Sequence, residues 1–124
     1  MGYSDSVRLF PIEHEVLVRL IRRYAGGVSA FHERLTEAVV TQRSISTVGA
    51  FTEFTLGSSW PDALMFCAEH LGVHVNCSGA PNGGIGFILI LGVDGAGTLE
   101  SFTAVDTMPD LAGIRLSECQ FTFS

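Results

Sequence analysis

The stretch CAEHLGVHVNC, residues 67–77, gathers four side chains able to ligate a metal: Cys67, His70, His74 and Cys77, in the spacing C-x2-H-x3-H-x2-C. A structural zinc needs four such ligands converging as a tetrahedron. Zinc modules usually separate two ligand pairs by a longer loop, so that each pair grips from its own turn. If residues 73–77 form a strand, His74 and Cys77 point to opposite faces, and the set does not converge without a bulge. Cysteine is also among the residues most often buried for packing reasons alone. The expectation is therefore no metal and no cofactor.

Nucleophilic catalysis would need a cysteine or serine beside a histidine that an acid orients. The four histidines are His14, His32, His70 and His74. His14 and His32 fall on polar faces of predicted helices, and no serine stands in a G-x-S-x-G elbow. A phosphate cradle would need glycine-rich backbone leading from a strand into a helix, usually with a lysine for the P-loop type. The glycines of GAPNGGIGFILILGVDGAGTLESFTAVD, residues 79–106, lead into a strand instead, and every basic residue of the chain is an arginine. They read as hairpin turns. No enzyme is expected; the alternative is a small enzyme or ligand-binding domain using His70, His74 and Cys77.

The elements that would position these groups follow from periodicity. After a loose segment over residues 1–9, Pro11 opens a helical pattern in which Ile12, Val16, Leu17, Leu20, Ile21 and Tyr24 form one apolar stripe. Glu13 and Glu15 stand in its first turn and Arg22 and Arg23 in its last, as the helix dipole favours. A second helix is predicted from Val28 to about Thr36, then a strand over 38–45. AFTEFTL alternates, with Phe51, Glu53 and Thr55 on one face and Thr52, Phe54 and Leu56 on the other. Residues 61–70 suit a short helix, and GVHVNCS a strand. IGFILILGV is apolar at both parities and predicts a central strand covered on both sides. DGAG then turns the chain into a return strand, TLESFTAVD, and IRLSECQFTF forms the last strand. The expected fold is α+β: two N-terminal helices packed on an antiparallel meander of four to six strands, in a single domain over 1–124.

Charge narrows the function. Residues 1–43 hold six arginines against five acids, whereas residues 44–124 hold Arg115 against eight acids, so the latter region has a net charge of 1 − 8 = −7. Clustered cations for phosphate contacts are missing, and direct nucleic-acid binding is not expected. The acidity is compatible with a basic protein partner, because opposite fields steer encounter, and equally with a charge that simply keeps the protein soluble. The longest apolar run is about half of what a membrane-spanning helix needs, and the N-terminus shows no basic segment followed by an apolar core. With Cys67, Cys77 and Cys119 an odd and irregularly spaced set, free thiols in a reducing cytoplasm are expected.

The order of segments also carries a resemblance. STVGAFTEFTL is similar to a strand motif of the form T-G-x-G-F-F-T-x-F. GVHVNCSGAPNGGIGFILILGVDGAGTLESFTAVDTMP is similar to a pattern with a glycine-rich turn, G-F-hydrophobic-L, D-G, L-E-x-aromatic-T and then W-P or M-P. Over residues 28–110 the chain resembles small bacterial α+β proteins associated with immunity in contact-dependent inhibition and other polymorphic toxin systems. It departs from that pattern at Ala50, where an aromatic is preferred, and after Phe102, where a second aromatic is missing. The resemblance implies a cytoplasmic protein that neutralises a cognate toxin by binding it. Such a protein would cap the toxin's active site or lock it in an inactive form. A toxin that is a nuclease has a basic site, and an acidic partner can occupy its phosphate positions with carboxylates. Glu53, Asp94, Glu100, Asp106 and Asp110 are the candidate contact residues. A homodimer joined through exposed strand edges is a further reading.

Overall fold

The computed structural model describes residues 8–26, 29–46, 49–66, 71–77, 83–104 and 108–123. Among the described residues, three helices, α1 (Pro11–Ala25), α2 (Ser29–Thr36) and α3 (Asp62–Phe66), accompany six strands: β1 (Val39–Ile45), β2 (Gly49–Thr55), β3 (Gly72–Cys77), β4 (Ile85–Leu91), β5 (Ala96–Thr103) and β6 (Cys119–Phe123). All strand pairs are antiparallel, and the strands form one sheet in the order β1-β2-β5-β4-β3-β6. The α+β class and the antiparallel sheet stand. The helical part differs from expectation in being dominated by the one long helix α1. The sheet is also not a simple meander: β3 is set apart from β2 by two places, β4 and β5 fill the gap between them, and β6 returns to the far side of β3.

α1 forms where the apolar stripe requires it. Ile12, Val16, Leu17, Leu20 and Ile21 are fully buried, Pro11 fits a first helical turn, and Gly26, at φ 76°, ends the helix. The helix packs against α2, α3 and β3. The inner sheet face supplies Val40, Ala50, Phe54, Val73, Val75, Ile85, Phe87, Leu89 and Leu99 to the same core. Trp60 closes one end of it: its ring lies edge-on to Phe54, with centroids 6.0 Å apart, and its Nε1–H donates to the Ala96 carbonyl at 2.7 Å.

Two features of the sheet correct the sequence expectations. β4 is central, yet among the described residues it is covered by helix on its inner face only; Ile88 and Ile90 stand on the outer face, 39% and 48% exposed. The last strand begins at Cys119, because Leu116–Glu118 forms a short 3₁₀ turn ahead of it.

Cys77 and Cys119 lie directly opposite one another on β3 and β6 and are joined by a disulfide. The expectation of free thiols is thus overturned for two of the three cysteines, and with it goes their support for a reducing compartment. Their separation of 42 residues carries no motif; only the strand pairing brings them together. Among the described residues, no helix is long and apolar enough to cross a membrane.

Candidate functional site

The open face of the sheet can be read row by row from the register. One row crosses Ser44, Phe51, Glu100, Ile88 and Gly72; a second crosses Gln42, Glu53, Thr98 and Ile90; a third crosses Gly49, Phe102, Gly86, His74 and Thr122. Phe51 and Phe102 are 46% and 42% exposed. Glu100 therefore has Phe51 and Ile88 beside it on the neighbouring strands and Phe102 two residues along its own. A carboxylate stands within an apolar surround.

The aromatic part of this surface has a built-in seat. A Cβ added to Gly86 would lie 2.3 Å from Cζ of Phe102, so the ring occupies the space that any other residue's side chain would need. Aromatic rings laid over a strand glycine in this way shield the backbone and hold the ring against the sheet. The edge of the Phe102 ring is fixed by the sheet, while its remaining surface faces solvent.

Of the five carboxylates singled out from sequence, Glu53 and Glu100 share this face. They are diagonal neighbours across β2 and β5, a spacing of roughly 7–8 Å. Asp94 sits in the β4–β5 turn, at the end of the sheet nearer Glu53. Its backbone is left-handed (φ 55°, ψ 36°), and with Gly95 at φ 80° it supplies the two central residues of a primed hairpin turn. Asp110 is elsewhere: it caps the 3₁₀ turn Leu111–Gly113 by accepting the Ala112 N–H at 3.1 Å. Asp106 lies outside the described residues. Among the described residues, Glu53, Asp94 and Glu100 form no ion pair.

Three arginines, Arg19, Arg23 and Arg43, are engaged on the helix side of the sheet. Arg19 and Arg23 place their guanidinium groups over the rings of Phe121 and Phe123, at 4.0 and 4.7 Å from the centroids. Arg43 is drawn inward. A bulge at Thr41, between Val40 and Gln42, shifts the parity of β1 by one residue, so that Arg43 joins Val40 on the inner face. There it meets Glu13, which is 1% exposed, through Nη1–Oε2 at 2.6 Å and Nη2–Oε1 at 2.9 Å. The Thr52 hydroxyl and the Phe10 N–H also donate to that carboxylate, and the guanidinium lies 3.6 Å from the centroid of the Phe10 ring. Periodicity places Glu13 in a first helical turn, where a carboxylate is normally solvated; its partner 30 residues on gives no local signal.

The other candidate chemistries are less well assembled. Cys67 and His70 lie outside the described residues, Cys77 is held in the disulfide, and His74 is on the outer face, opposite in parity to Cys77. Among the described residues, no three His, Cys, Asp or Glu side chains cluster as a metal would require. An apolar hollow is lined by Phe10, Arg43, Ile45, Met108 and Asp110, and its cation is already committed to Glu13. Compared with family models, curated proteins and solved structures, the chain matches none.

Proposed function

We propose that this protein is an immunity protein, antitoxin-like, that neutralises a cognate bacterial toxin by direct binding through an acidic surface. The supporting observation is the segregation of charge. Glu53 and Glu100 share an open sheet face and have no ion-pair partner among the described residues, while Arg19, Arg23 and Arg43 are engaged on the helix side. A toxin with a basic, phosphate-binding active site, such as a nuclease, is the complementary partner. The carboxylates would speed and orient encounter, and the apolar groups between them would hold the complex. Binding alone accounts for the proposed function, with no turnover.

The test is co-expression with the C-terminal domain of a large protein encoded immediately upstream. Restored growth, and a purified complex that weakens as salt rises, support the reading. Unrelieved toxicity with no complex formed overturns it.

A further inference from the structure

We infer that Glu100, with Phe51, Ile88 and Phe102 around it, is a receiving site for an arginine of a basic protein partner. The inference rests on the binding role proposed above and names the residue chemistry of the contact. A guanidinium can satisfy a carboxylate through two parallel N–H···O bonds while its flat face lies on an aromatic ring. The open face offers both elements together: a carboxylate between Phe51 and Ile88 in one row, with Phe102 next along the strand. The same chain already builds this arrangement internally, where Arg43 chelates Glu13 and stacks on Phe10. On the outer face the carboxylate and the rings are present and the cation is not, among the described residues.

Charge selects the occupant. A second copy of this chain seated face to face would set Glu53 and Glu100 against their own counterparts, and the whole chain carries a net charge of −6. A neutral apolar partner would bury Glu100 without a counter-ion, which is costly. A cationic protein surface removes both penalties. Arginine suits the site better than lysine because an ammonium offers neither the planar fork nor a stacking face. Phe102, seated over Gly86, is held in place before the partner arrives, so little freedom is lost on binding.

Two measurements separate this site from the reading it rests on. In the first, the blocked tripeptides Leu-Arg-Leu and Leu-Lys-Leu are titrated into the isotope-labelled protein and followed by NMR. Shifts centred on Phe51, Ile88, Glu100 and Phe102, larger for the arginine peptide and abolished by Glu100→Gln, support the site. Shifts scattered over the surface, or equal for the two peptides, overturn it. In the second, the upstream-encoded toxin domain is bound to Glu100→Gln and Phe51→Ser variants, each checked for an unchanged melting temperature. Loss of affinity of about 30-fold or more for either supports the site. Wild-type affinity in both overturns it while leaving the immunity role intact. A toxin domain that fails to bind the wild type, alongside peptide shifts at Glu100, removes the immunity role and supports the site. Sedimentation showing a dimer broken by Phe51→Ser would assign the face to a second copy and overturn the inference.

Discussion

Arg43 and Glu13, 30 residues apart in the chain, meet in a two-pronged ion pair that also gathers Thr52 and the Phe10 backbone. The pair ties the first turn of α1 to β1 and β2. It depends on the Thr41 bulge, because without the extra residue Arg43 would face solvent and Gln42 would face the core.

Removing one member leaves a buried charge unsatisfied. Glu13→Leu and Arg43→Met are each expected to cost about 3–5 kcal/mol of stability. The double variant Glu13→Leu/Arg43→Met should lose less than either single one, since neither charge is stranded. Urea denaturation of the three variants checks this; a double variant that loses the sum of the single effects would refute the pairing.

Gly86 and Phe102 form the second coupled pair. Gly86→Ala should force the ring off its seat and cost about 1–3 kcal/mol. In Phe102→Ala the same glycine substitution should be close to neutral. A double-mutant cycle therefore gives a coupling of at least about 0.5 kcal/mol. Additive effects would place the ring elsewhere.

The disulfide closes a loop of 42 residues, for which chain entropy gives a contribution of about 4 kcal/mol, with about 2–4 kcal/mol typical of measured cases. Cys119→Ser, or reduction of the wild type, should lower the denaturation midpoint accordingly. Without reductant, Cys77 and Cys119 should resist alkylation in the folded and unfolded protein alike. Rapid labelling of both in the non-reduced unfolded chain is the contrary result.

Asp94 separates conformation from charge. Asp94→Asn keeps a side chain tolerant of the left-handed region and should leave stability within a few tenths of a kcal/mol, whereas Asp94→Val should cost about 1–2 kcal/mol. Thermal melts decide between them. Equal losses would mean that the carboxylate, and not the backbone, matters at this turn.

Local patterns were legible in the sequence where the physics is local. The α1 stripe, the alternation of Phe51, Glu53 and Thr55 against Thr52 and Phe54, and the Asp94–Gly95 turn each depend on a few neighbouring residues. The open face escaped because β4 is apolar at both parities, which usually marks double coverage; too little helix follows to provide a second layer. Its exposed Ile88 and Ile90 could have been suspected from that shortage. The bulge at Thr41, the burial of Glu13 and the Cys77–Cys119 pairing all depend on strand partners far along the chain, and no short-range pattern encodes them. At the candidate site, charge singled out Glu53 and Glu100, while Phe51 and Phe102 passed as ordinary strand aromatics.

The bond between Cys77 and Cys119 makes a covalent ring of everything from the end of β3 to the start of β6, including the whole of β4 and β5. A protease that nicks the β4–β5 turn would leave one molecule on a non-reducing gel and two fragments after reduction. The same ring prevents β6 from being traded between neighbouring chains while the bond is intact, so oligomers intertwined through β6 would have to await a reductant.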